Sequence, residues 1–251
     1  MLLAVLATLG LRAWQVKQER TSRHAWTRPL GVSVVLVTQQ AVAPGTLASW
    51  RDALPSLSRW FQQERARLAP GAQMPFTFQL EAPALVAELP PFEPTAESWS
   101  ARAWHAWTLR RALAEIDRKA AAARDADLRI YVVLREDTAA GGTWVDGIAA
   151  AGGTFGMVRA PRGETELGLP LIAVAHELLH CMGAADRYDA EGHARIPEGL
   201  AEPDLRPRFP QRYAEVMTGE LPEADGRGRV PRGLAETRVG ELTAREVGWL
   251  P

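Results

Sequence analysis

Two histidines and a glutamate occupy one five-residue frame, His176-Glu177-Leu178-Leu179-His180. On a helix, residues i and i+4 leave the same face one turn apart, so both imidazoles can grip a single metal ion. Glu177 lies beside them, where a carboxylate can take a proton from a water that the metal activates. Chance has to be weighed first: a shuffled chain with the same histidine content shows H-E-x-x-H about once in a hundred tries. The flanks argue against accident. Pro170 suits a first helical turn and Gly183 a stop just past the end, while Leu171, Ile172, Val174, Ala175, Leu178, Leu179 and Met182 make nearly every other surface apolar. A helix so enclosed would strand its three polar side chains unless they served a ligand; the alternative is a pair of hydrogen-bonded core histidines. Catalytic zinc usually keeps three protein ligands and one position for water. A third ligand should therefore follow, and Asp186 comes three residues after the reversal that Gly183 allows.

The extended pattern H-E-x-x-H-x-x-G-x-x-D resembles the metzincin clan of zinc metallopeptidases, in the variant of snapalysin-like enzymes where Asp replaces the usual third His. The resemblance implies Zn²⁺ held by His176, His180 and Asp186, with Glu177 as general base in peptide-bond hydrolysis. It also implies a methionine-bearing turn beneath the metal, a part that Met217 in residues 214–219 could take; an isolated Met is otherwise core filler. A further implication is an edge strand near the metal that pairs with an extended peptide or protein substrate. Residues 154–160 (TFGMVRA) are the candidate, with an ordinary hairpin arm as the alternative. Asp189, His193, Glu198 and Glu202 remain rival third ligands. Tyr188 and Tyr213 could each lend a phenol to a developing oxyanion, or simply pack. Cys181 adjoins a ligand but points about 100° away from His180, so core packing is expected of it. His105 has no ligand-type neighbours at short spacing and reads as structural.

The elements that must hold this frame follow from periodicity. Residues 31–39 (GVSVVLVTQ), 75–81 (PFTFQLE) and 128–134 (LRIYVVL) read as strands. Between them, residues 46–68 and 98–126 carry apolar side chains at helical spacing, the second helix with Trp99, Trp104, Trp107, Leu109, Leu113, Ile116 and Ala120 on its apolar face. Strand-helix-strand alternation implies right-handed crossovers and a mostly parallel, twisted sheet. The expected fold is therefore α/β, zincin-like: such a sheet with an edge strand, an active-site helix over residues 170–182, and an irregular C-terminal part. Residues 138–156 are glycine-rich and lack the G-K-[ST] ending of a phosphate loop. Thr243 and Glu246 read as a capping box that opens a short C-terminal helix.

At 251 residues and 47% hydrophobic, the chain can bury a proper core. The expected organisation is a targeting or anchor segment and linker over residues 1–28, then a peptidase domain over 29–251, divided into an upper part, 29–183, and a C-terminal lip, 184–251. With 29 basic and 30 acidic residues the net charge is −1, which offers no footprint for nucleic acid, and none is expected as a partner. One cysteine permits no intrachain disulfide and leaves the compartment unread. The apolar run from Met1 to Leu11 is short for a membrane span and is followed by Arg12, Lys17, Arg20 and Arg23. Membrane association through residues 1–14, or export, is the expectation, against an ordinary amphipathic or disordered N-terminus. Nothing sets an oligomeric state. The functional reading is a zinc metallopeptidase; a non-peptidase zinc amidohydrolase and a catalytically silent, zinc-stabilised binding protein are the alternatives.

Overall fold

The computed structural model describes residues 21–92, 98–123, 125–136, 147–149, 152–163 and 166–251. The anchor expected in residues 1–14 and most of the glycine-rich stretch lie outside these residues. Its centre is a six-stranded sheet in the order β2 (Phe76–Leu80), β1 (Leu30–Thr38), β4 (Leu128–Arg135), β6 (Phe155–Pro161), β5 (Gly147–Ala149), with the short β3 (Ala84–Leu85) also on β1. Every pairing is parallel except that of β5 with β6. Strand alternation sends successive side chains to opposite faces. Val32, Val34 and Leu36 of β1 join Leu128, Ile130 and Val132 of β4 in one core. Val35, Val37, Tyr131 and Val133 point the other way into a second core. Both faces are buried, which is why these strands are continuous apolar runs rather than alternating ones.

Helix α1 (Pro44–Leu68) and helix α3 (Gly168–Cys181) cover the first face. Trp50, Leu54, Leu57, Trp60 and Phe61 of α1 are buried there, and the helix continues through Pro55. Helix α2 (Trp99–Ala120) covers the second face. The α/β architecture with a mostly parallel sheet is therefore the one that the periodicity predicts. From residue 184 onward the chain is irregular, with paired β7 (Ala214–Glu215) and β10 (Thr237–Arg238), a hairpin of β8 (Leu221–Ala224) and β9 (Arg227–Arg229), and a last short helix, α4 (Glu241–Glu246).

Four local expectations change. The strand at residues 154–160 is internal, between β4 and β6's other neighbour β5; the sheet edge is β5 itself, antiparallel and only three residues long. The tryptophans of α2 do not join its apolar face: Leu113, Ile116 and Ala120 are its buried residues, and Trp99, Trp104 and Trp107 face solvent. The short C-terminal helix exists, but Thr243 and Glu246 lie inside and at the end of α4 rather than capping a later start. Finally, residues 21–26, read from the sequence as linker, pack into the body. Trp26 is buried against Phe76 and Trp249, and its indole N–H donates to the Val247 carbonyl at 2.8 Å.

Candidate metal centre

Helix α3 ends in a way that aims its polar face. Gly183 takes φ = +98°, a conformation costly for any side chain, and the N–H groups of Gly183 and Ala184 return to the His180 and Leu179 carbonyls at 2.8 and 3.0 Å. The chain thus reverses directly after His180 and carries Asp186 back towards the helix. Arg23 and His24 meet terminal carbonyls at this helix end: the Arg23 guanidinium lies 3.5 Å from the Cys181 carbonyl oxygen, and a His24 ring nitrogen lies 2.8 Å from that of Met182.

The result brings three side chains to one point. Nε2 of His176 and Nε2 of His180 lie 3.2 and 3.1 Å from Asp186 Oδ1, and the two imidazole rings stand at 86° with centroids 4.6 Å apart. Each ring's other nitrogen is already engaged. His176 Nδ1 lies 3.0 Å from the Val216 carbonyl oxygen, and His180 Nδ1 lies 2.8 Å from that of Ala184. A carbonyl only accepts, so each Nδ1 carries the hydrogen, and the neutral ring presents a bare lone pair at Nε2. Asp186 Oδ1 is buried, yet it accepts no hydrogen bond from any described group. Three lone-pair atoms converging in this way repel each other unless a cation or a proton lies among them. Donor atoms around tetrahedral zinc, at about 2.0–2.2 Å from the ion, stand about 3.3–3.6 Å apart. The observed separations are close to that, and this group could hold a metal ion.

The electrostatics agree with the crowding. Burial alone pushes the His176 imidazolium down, but Asp186, the charge of Glu177 and the Val216 carbonyl outweigh it, and the group is raised overall. Burial likewise pushes the Asp186 carboxyl up, and the imidazoles of His176 and His180 beside it hold it well below the usual carboxylate range. Cys181 is buried in the core, and burial followed by the Glu177 charge pushes its thiol up to about 12. It is no thiolate ligand.

Glu177 is 4% exposed and lines a cleft of about 810 Å³ together with His176, His180 and Asp186. Its carboxylate is wedged against β5. A Cβ added at Gly147 would overlap the Glu177 carboxyl group, and one at Gly156 would stand 3.0 Å from Glu177 Cβ. Gly147, Ile148 and Ala149 form one wall of the cleft, and Tyr188, Gly192, Thr218 and Pro231 belong to its lip.

The rival ligands are engaged elsewhere. His193 Nδ1 pairs with Glu220 at 3.0 Å; Asp189 accepts from the backbone N–H groups of Glu191 and His193 at 3.1 and 2.9 Å; Glu202 binds Arg212. Glu198 is exposed beside a separate surface depression. Tyr188 lines the cleft, while Tyr213 lies under the Arg238 guanidinium, 3.7 Å from its ring centre. His105 sits on α2, across the sheet from α3. Met217 is fully buried in the turn after β7, behind the Val216, Thr218 and Gly219 backbone that borders the cleft.

Two carboxylates that sequence reasoning missed hold this arrangement. Glu215 is wholly buried; its Oε2 accepts from the Met217 N–H at 2.5 Å, and its Oε1 from the Gly240 N–H and the Thr243 hydroxyl at 3.0 and 2.8 Å. Burial pushes its carboxyl up against the pull of these donors. Glu246 Oε2 accepts from the Ala185 N–H at 3.1 Å and from the Arg187 guanidinium at 2.7 Å, on either side of Asp186. Neither carries a motif, because each works through backbone groups that a side-chain pattern does not record.

No family model matches the chain, and no curated protein does. Among solved structures it is similar to archaemetzincin from Methanopyrus kandleri, at 16% identity, with 86% of this chain and 96% of that one covered and a TM-score of 0.37. A likeness of that degree leaves the activity to be argued from the residues themselves.

Proposed function

We propose that the protein is a zinc-dependent metallopeptidase of metzincin-like type, with His176, His180 and Asp186 as the ligands and Glu177 as the general base. The observation that carries the reading is the tautomer argument: both Nδ1 atoms are bound to carbonyls, so two lone pairs and a buried carboxylate oxygen face one another across 3.1 and 3.2 Å. Two imidazoles and a carboxylate suit zinc and also Fe(II). Glu177, adjoining the pair and open to the same cleft, favours hydrolysis over redox chemistry, because a carboxylate there has a proton-transfer task.

Zinc, when bound, supplies Lewis acidity towards water and towards a carbonyl oxygen. The chain's own residues do the rest. Glu177 takes the proton of the attacking water at its carboxylate and hands it to the leaving nitrogen. The absence of a side chain at Gly147 gives the carboxylate its place against the cleft wall. The Val216 and Ala184 carbonyls keep both imidazoles in one tautomer and one orientation. Met217 fills the floor as the methionine of a Met-turn. Along the wall, the β5 edge can pair with an extended main chain, so an extended peptide suits this cleft better than a small amide does.

Glu177→Gln tests the reading. The variant should keep the zinc content of the wild type, measured by plasma emission on the purified protein, and lose about 10²–10⁴-fold in hydrolysis of casein or a peptide library. Undiminished turnover would overturn the assignment of Glu177. Iron in place of zinc, or turnover of small amides alone, would overturn the peptidase reading.

A further inference from the structure

The first turns of α2 touch little of the protein. Its buried residues, Leu113, Ile116 and Ala120, all lie in the second half of the helix. Trp99, Trp104 and Trp107 are 82%, 66% and 47% exposed. At about 100° per residue, Leu113, Ile116 and Ala120 share one face, and Trp104, Trp107, Arg111 and Arg118 share the opposite one. Trp104 and Trp107 are in contact, with ring centroids 4.8 Å apart, and the Arg111 guanidinium lies 4.8 Å from the centre of the Trp107 ring.

The charge on this stretch is one-sided. Residues 98–114 contain Arg102, Arg110 and Arg111 and no Asp or Glu, in a chain whose net charge is −1. Among the described residues, the ion pairs of α2 lie at its far end, Lys119 with Glu115 at 3.1 Å and Asp117 with Arg129 at 3.5 Å. Three water-exposed indoles interleaved with arginines are a costly surface for a protein to present bare. Indole, apolar in body with one N–H donor, favours the boundary between hydrocarbon and headgroups, and arginine favours phosphate there.

We propose that this face of α2 docks on an anionic lipid bilayer, with the tryptophans at headgroup depth and Arg110, Arg111 and Arg118 on lipid phosphates. A partner helix would call for a narrow seam of apolar residues at i, i+3 and i+7. Trp99, Trp104 and Trp107 instead fan over about 140° of the helix, which a yielding planar surface accommodates. Because α2 covers the sheet face opposite α3, docking leaves the cleft open to a substrate.

Co-sedimentation of the full chain with vesicles tests this, using phosphatidylcholine alone and phosphatidylcholine mixed with phosphatidylglycerol. The wild type should bind the mixed vesicles, bind phosphatidylcholine less, and lose affinity as salt is raised. Trp104→Ser with Trp107→Ser should weaken partitioning at least about tenfold. Arg110→Ser with Arg111→Ser should weaken it about thirtyfold, each lost charge counting for about fivefold. All four positions are exposed, so the thermal midpoint should not move; if the tryptophan variant fails to fold, the arginine variant decides. Binding that neither variant weakens, or no binding to mixed vesicles, overturns the proposal. So does lipid-free self-association of the wild type that the tryptophan variant abolishes, since the face would then join copies of this chain.

Discussion

His176 and His180 each give one ring nitrogen to a backbone carbonyl, and this leaves the other with nothing to do in a metal-free protein except face a carboxylate. Asp186 is the discriminating residue among the candidates for third ligand. Asp186→Ala should abolish stoichiometric zinc binding in calorimetry, whereas His193→Ala and Glu198→Ala should leave it unchanged, since those side chains face Glu220 and solvent. Proton competition supplies a second expectation. Because His176 is raised in the metal-free protein, its protonated form contributes stability that is fully present below the unfolded value near 6.5 and lost as pH rises through the folded value. Zinc displaces that proton, so the increase in melting temperature on adding zinc should grow from about pH 6 to about pH 8. A shift that is flat across this range would show that zinc binds elsewhere.

Helix α4 is the element whose importance exceeds its length. Six residues long, it reaches the site from two sides: Gly240 at its start and Thr243 within it anchor Glu215, and Glu246 at its end grips the backbone and side chain flanking Asp186. Arg187 closes the bracket by donating its N–H to the Met217 carbonyl at 3.0 Å, which joins the ligand loop to the buried turn. Glu246→Ala should therefore lower zinc affinity about 10–100-fold with little change in circular dichroism, because the carboxylate positions Asp186 without touching the ligand atoms. Retained affinity in that variant would place the control of Asp186 in Arg195, which donates to its carbonyl at 2.6 Å. At the other end of the site, the sheet edge is the three-residue β5 rather than β6. Its antiparallel return along β6 sets Gly147 against Glu177, so the edge strand and the proposed general base are packed as one unit.

Across the whole molecule, the candidate metal centre lies to one side of a core that does not depend on it. The two apolar clusters on either face of the sheet are continuous without the ligands, so chelation should lower the melting temperature and leave a cooperative transition, as a catalytic rather than a purely structural site requires. The two ends of the described chain are joined within that core. Trp26 stacks edge-on against Phe76 and Trp249 and donates to Val247, just after α4. Trp26→Ala should cost about 3–5 kcal/mol in urea unfolding of the metal-free protein, from lost packing together with an orphaned carbonyl. The same contact ties the segment that caps α3 to the segment that brackets Asp186.

Much of this was legible without coordinates. The helix that carries the two histidines is legible because its signal is local: Pro170, the i, i+4 histidines and Gly183 act within fourteen residues, and backbone geometry converts that spacing into position. The parallel sheet was legible because strands buried on both faces must be apolar throughout. What the tertiary structure alone decided was everything set by contacts across long chain separations. Edge and interior strands have similar compositions, so the identity of the edge depended on where residues 147–149 return. Trp99, Trp104 and Trp107 have the composition of core, yet among the described residues they stand exposed. That Asp186 rather than its rivals converges on the two imidazoles, and that Glu215, Glu246 and the Val216 carbonyl hold that arrangement, rests on backbone donors and acceptors whose positions no residue type records.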